Sequence, residues 1–107
     1  MSLNDLLFED IRPTLLAAGE LALTVTDTAQ PLFAVSTPCT LVLLCAPCNA
    51  AGVATNTKPF FIGTATSQPK PVLATDQQGV YIRVKDAANL YVKGLQAEKV
   101  CYLVFGA

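Results

Sequence analysis

Val80, Ile82 and Val84 alternate with Tyr81, Arg83 and Lys85, and no other pattern constrains the fold of this chain as tightly. Successive side chains of a β-strand point to opposite faces, so this alternation fits a strand with one face on a core. The pattern recurs in Leu21, Leu23 and Val25, which alternate with Ala22, Thr24 and Thr26. Further strands are expected at Pro31 to Val35, Thr40 to Ala46, Pro59 to Gly63, residues 72 to 74, Leu90 to Val92, and Val100 to Phe105. Thr40 to Ala46 is almost wholly apolar, as for a strand buried on both faces. Val100 to Phe105 is also apolar on both faces. Turn residues separate these runs: Asp27-Thr28, the Ala-, Asn-, Gly- and Thr-rich stretch Pro47 to Thr57, the loop with Pro69 and Pro71, Asp86 to Asn89, and Lys93-Gly94. Seven to eight short strands at this spacing predict an all-β domain, an antiparallel β-sandwich or barrel.

The first twenty residues follow a different rule. Ser2 and Asp5 form a partial capping box, and Leu3, Leu6, Leu7 and Ile11 fall on one helical face. Pro13 ends that helix and Gly19 breaks the chain before the β region. The expected organisation is a helix from residue 3 to about 12, a connecting arm over 13 to 20, and a β-sandwich domain over 21 to 107. The helix and arm over 1 to 20 have two possible homes, their own domain or a neighbouring chain.

The chain has 107 residues, enough for one domain with its own core. Hydrophobic residues make up 52% and charged residues 14%, against about 25% charged in ordinary soluble domains. A surface so short of charge is expected to be covered by neighbours in the working state. The net charge of −1 offers phosphates no basic face, which argues against nucleic acid as a partner. No apolar run approaches the roughly 20 residues that span a bilayer, so no membrane partner is expected. Met1-Ser2-Leu3-Asn4-Asp5 lacks the basic start and long apolar stretch of a signal peptide. The expected site of synthesis and residence is the cytoplasm, where cysteines stay reduced.

Histidine is absent. This removes the commonest general base and metal ligand, and with it the Ser–His and Cys–His nucleophile arrangements. Cys45-Ala46-Pro47-Cys48 is a CxxC, but it ends a strand instead of opening a helix, where a thiol pKa would fall. A zinc site would need Cys39 and Cys101 as well. The plainer expectation is that Cys39, Cys45 and Cys101 pack as small apolar residues. Asp5, Glu9, Asp10, Glu20, Asp27, Asp76, Asp86 and Glu98 all fall in expected turns or in the N-terminal segment, and none lies in an apolar run that would raise its pKa. Tyr81, Tyr91 and Tyr102 are candidates for a sugar- or peptide-binding face, although aromatics on strands more often pack in the sheet. No catalytic residue, cofactor-binding residue or metal ligand is assigned, and the chain is not expected to be an enzyme.

Thr55-Asn56-Thr57-Lys58-Pro59-Phe60-Phe61-Ile62-Gly63 resembles a strand phrase of small tailed-bacteriophage virion structural proteins. Asp86-Ala87-Ala88-Asn89-Leu90-Tyr91-Val92 follows the alternating strand Val80–Val84, as in those proteins. The closing stretch Gly94-Leu95-Gln96-Ala97-Glu98-Lys99-Val100-Cys101-Tyr102-Leu103-Val104-Phe105 is similar to theirs, and Thr24 to Leu32 looks like their opening. The loop after Gly63 and the CxxC depart from the pattern. The resemblance covers most of residues 21 to 105 and implies a jelly-roll-like β-sandwich of the capsid decoration (cement) or head- or tail-fibre-associated kind. It further implies a virion protein made in the bacterial host cytoplasm, with itself (as homodimer or homotrimer) and the major capsid protein as partners. A tail, baseplate or fibre-base component and a small carbohydrate-binding module are the alternative expectations.

Overall fold

The structure, a computed structural model, describes residues 14–106. Its elements are β1 (Thr14–Ala22), β2 (Gln30–Pro31), β3 (Leu41–Cys45), β4 (Phe60–Gly63), β5 (Lys70–Val72), β6 (Val80–Arg83), β7 (Tyr91–Lys93) and β8 (Lys99–Gly106), with a short 3-10 turn at Ala87–Asn89. They form two four-stranded sheets, β1-β8-β3-β6 and β2-β7-β4-β5. Every pairing is antiparallel. The pairs β1–β8, β2–β7, β3–β6 and β4–β5 make the chain one long hairpin. The hairpin is wound so that its arms pass from one sheet to the other, and the β3–β8 and β4–β7 pairs complete the two sheets.

The expected all-β sandwich is therefore present. One hydrophobic cluster joins Val42, Leu44, Val100 and Val104 of the first sheet to Phe60, Ile62, Val72 and Val92 of the second. Leu23, Leu32, Ala46, Ala87 and Leu90 close its ends. Each large side chain among these contributes about 1.5–3 kcal/mol by leaving water. Pro31 and Pro71 lie on β2 and β5, the two edge strands of the second sheet, where a missing N–H leaves no ladder bond unmade.

Several details differ from expectation. The helix over residues 3 to 12 lies outside the described residues. Of the connecting arm expected over 13 to 20, the described residues Thr14 to Glu20 belong instead to β1, which pairs with β8 on both sides of a register shift between Leu15 and Ala17. The β region thus begins before residue 21, and Gly19 is no break. Its Cα pairs with that of Tyr102, and a Cβ there would meet the Tyr102 hydroxyl at 2.9 Å. The expected strand Pro31 to Val35 shortens to Gln30–Pro31. β3 is not buried on both faces, because only Val42 and Leu44 are enclosed while Leu41, Leu43 and Cys45 are half-buried.

The loops gather at two ends. At one end, residues 23–29, 46–59, 73–79 and 94–98 interlock through backbone and side-chain bonds. Asp27 N–H donates to the Gly94 carbonyl (2.9 Å), Ala46 N–H to the Asp76 carbonyl (2.9 Å), and Gln77 Nε2 to the Gly52 carbonyl (2.9 Å). Buried Asn56 clasps Lys99, its Nδ2 donating to the Lys99 carbonyl (2.8 Å) and its Oδ1 accepting from the Lys99 N–H (3.0 Å). At the other end, Asp86 fastens the β2–β3 loop to the 3-10 turn. It accepts from the Ser36 hydroxyl, from the Thr37 N–H (2.7 Å) and from the Ala88 N–H (2.9 Å).

Candidate functional site

Strand alternation fixes what the first sheet turns outward. Val42, Leu44, Val100 and Val104 point into the core, so their neighbours on β3 and β8 face away from it. Across the sheet, three rows result. Arg83 lies beside Leu41, Phe105 and Leu15; Tyr81 beside Leu43, Leu103 and Ala18; and Cys45 beside Cys101 and Glu20. An antiparallel sheet with one side in water normally alternates apolar-in with polar-out. This outer face is instead largely apolar, and its charges stand apart: Arg83 at one edge, Glu20 on β1, and Lys99 at the start of β8 opposite Ala22. Leu15 is 54% exposed and Tyr81 61%. A shallow depression of about 370 Å³ lies over Glu20, Leu43, Cys45, Cys101 and Leu103. The second sheet differs: Lys93 on β7 stands over the Phe61 ring, 6.0 Å from its centroid.

A second apolar surface lies at the interlocked loop end. Each of its four loops presents one large exposed apolar side chain: Val25, Val53, Leu73 and Leu95, between 39% and 61% exposed.

The cysteines separate into two groups. Cys45 and Cys101 face one another across β3 and β8. Burial raises both thiol pKa values, that of Cys101 to about 11. Their proximity acts oppositely on the two, lowering Cys45 and raising Cys101, which favours the proton on Cys101. Cys39 is elsewhere, its thiol donating to the Val84 carbonyl at 3.2 Å, and its pKa is raised by burial and then by the Asp86 charge. Cys48 sits in a bridge opposite Ala54, beyond the end of β3. The set of Cys39, Cys45, Cys48 and Cys101 considered for zinc is not assembled, and the described residues contain no metal-binding group of three or more His, Cys, Asp or Glu. Thiols with raised pKa values are protonated near neutral pH, contrary to what a redox CxxC needs.

The carboxylates are occupied with structure. Asp76 accepts from the Gly79 N–H (2.8 Å), and Glu98 from the Thr57 N–H (2.7 Å) and hydroxyl and from the Lys58 N–H (3.2 Å). The Asp86 pKa is lowered by its bonds from Ser36, Thr37 and Ala88, the wrong direction for a proton donor at neutral pH. Glu20 lies on β1, not in a turn. The three tyrosines share no surface. Tyr81 is on the outer face of the first sheet, while Tyr102 turns inward against Phe33 in an edge-to-face contact (5.0 Å, 72°). Tyr91 belongs to the second sheet. The expected tyrosine-lined ligand face is therefore not assembled.

The apolar outer face was present in the sequence as β3 and as Val100 to Phe105 of β8, apolar at every position. Two layers bury only one side of each strand, so the second apolar side had to face outward. Comparison of the chain with protein-family models, curated proteins and solved structures finds no match.

Proposed function

We propose that this chain is a non-catalytic structural protein of a tailed-phage virion, foremost a capsid decoration (cement) protein. It holds neighbouring chains together through buried apolar area. Its partners are further copies of itself, as a homodimer or homotrimer, and the major capsid protein. The observation that carries this reading is the apolar outer face of the β1-β8-β3-β6 sheet. Left in water, a patch of this kind is a liability, and it is the usual mark of a protein–protein contact. The wound hairpin, with β1 on β8, β2 on β7, β3 on β6 and β4 on β5, supports a jelly roll, an architecture shared with viral capsid domains. The four apolar loop tips supply a second contact surface, so one molecule touches two neighbours at once.

Mass spectrometry of purified virions from the source phage is expected to find the chain, and purified protein is expected to bind shells from which it has been removed. Replacing Leu43 and Leu103 together with Gln is expected to abolish that binding without loss of cooperative unfolding. Virions that lack the protein, or shells that bind the double variant as well as the parent, would overturn the proposal.

A further inference from the structure

We infer that two copies of this chain join through the free edges of their β1 strands, antiparallel about Gly19, so that two four-stranded sheets become one of eight strands. This rests on the self-assembly reading above and names the contact between copies.

The four sheet edges are not alike. An edge strand carries an unpaired row of N–H and C=O groups, and folded chains guard such rows with short strands, proline, charge or bulges. β2 has two residues and ends in Pro31, β5 has three and contains Lys70 and Pro71, and β6 has four and ends in Arg83. β1 has nine residues, no proline, and Glu20 as its only charge. Its register shift is confined to the step between Leu15 and Ala17, and its pairing from Ala17 to Ala22 is regular.

Hydrogen bonds locate the open groups of β1. Leu23 N–H donates to the Glu98 carbonyl (2.9 Å), and the Leu23 carbonyl accepts from the Ala97 N–H (2.8 Å). Both groups of Leu23 therefore turn toward the β8 side. Alternate residues of an antiparallel strand turn these groups to opposite edges. Ala22 and Thr24 obey: Gln30 Nε2 donates to the Ala22 carbonyl (3.1 Å), and the Thr24 N–H donates to Gln30 Oε1 (3.1 Å). Gln30 thus closes one end of the edge. Counted back by twos, Glu20 and Ala18 turn N–H and C=O to the same edge, where no strand lies among the described residues.

Two donors and two acceptors in that order complement themselves. With a two-fold axis through the sheet at Gly19, Ala18 exchanges both bonds with the partner's Glu20, and Glu20 both with the partner's Ala18. Gly19 brings no side chain to the axis, where the two backbones come closest. Neighbouring registers are worse. An axis at Glu20 sets two carboxylates opposite one another and calls on the Ala22 carbonyl, which Gln30 already holds. An axis at Ala18 sets Glu20 against Leu16, which stands in the register shift. The axis is perpendicular to the sheet, so both outer faces point the same way. The shell is then offered one continuous apolar surface of twice the width.

Amide exchange and sedimentation equilibrium test this on the full chain. At high concentration the parent is expected at twice the single-chain mass of 11.3 kDa, with exchange of the Ala18 and Glu20 amides slowing as concentration rises. Ala18→Pro removes an N–H from the free edge and none from the β8 ladder. It is expected to unfold cooperatively and to associate about tenfold more weakly. Leu103→Gln, on the outer face, is expected to leave the dimer intact. An equal mixture of parent and Glu20→Lys chains is expected to associate about threefold more tightly than the parent alone, because the two side chains at position 20 are diagonal neighbours. A parent that is monomeric at every concentration, Ala18 and Glu20 amides indifferent to concentration, an Ala18→Pro chain that associates like the parent, or a mixture without gain overturns the inference. The exchange measurement decides even if Ala18→Pro does not fold. If Leu103→Gln abolishes association and Ala18→Pro does not, copies meet by their outer faces; the edge contact is then wrong and the assembly reading survives. Failure of the assembly reading itself is seen separately, in shells that do not bind the parent.

Discussion

Burial holds the Cys101 thiol at about 11 against its ordinary 9.0, with the Cys45 and Glu20 charges adding to the rise. A folded-state pKa raised above the unfolded value adds stability that is complete below pH 9 and lost as pH climbs toward 11. Cys101→Val removes that titration. Its stability between pH 8 and 11, from denaturant midpoints, is expected to fall less steeply than that of the parent. Parallel curves would show that Cys101 is not the group being titrated. Asp86 works in the opposite sense. Hydrogen bonds from Ser36, Thr37 and Ala88 hold its pKa below the ordinary 3.8, so its contribution is present above that pH and disappears as pH falls through the folded value. Asp86→Asn is expected to melt lower than the parent at pH 7, with the gap closing in acid. Equal melting temperatures at pH 7 would remove Asp86 from the list of loop fasteners.

At the scale of elements, β1 shows where residue patterns stop being informative. The strands β3, β4, β6, β7 and β8 were legible because apolar alternation or a continuous apolar run ended at a Pro, Gly, Asn or Asp. β1 was hidden because Thr14 to Gly19 shows no period of two and lies between Pro13 and Gly19, both of which read as breaks. Its register is set by β8, at the far end of the chain, with Thr14 paired to Gly106 and Ala22 to Lys99, and no local window contains that information. Leu16 marks the compromise, standing in the register shift between Leu15 and Ala17. The candidate site was legible in parts: every residue of the outer face was visible, but which strands sit side by side was not. It follows that a chain beginning at residue 21 loses Thr14 to Glu20 and uncovers β8. Chemical denaturation is expected to show a loss on the order of 3 kcal/mol relative to a chain beginning at residue 13. Equal midpoints for the two would mean that β1 adds nothing to the folded domain.

For the whole molecule, the wound hairpin determines how folding must proceed. The tight β4–β5 pair is local, whereas β3–β6, β2–β7 and β1–β8 join ever more distant segments. Sheets built from such non-local pairs pay loop closure before gaining contacts, so refolding is expected in milliseconds to seconds, not microseconds. Stopped-flow fluorescence of Tyr81, Tyr91 and Tyr102 measures it, and a microsecond phase carrying the full amplitude would contradict the topology. The position of β8 between β1 and β3 also bears on biogenesis. At about 5–20 residues per second, a ribosome needs roughly 4–17 s to pass from residue 22 to residue 106. Throughout that interval β1 has been made and its partner has not. The nascent chain must therefore keep a bare apolar strand from pairing with its siblings on a crowded polysome, a task for which chaperones that shield emerging chains are suited.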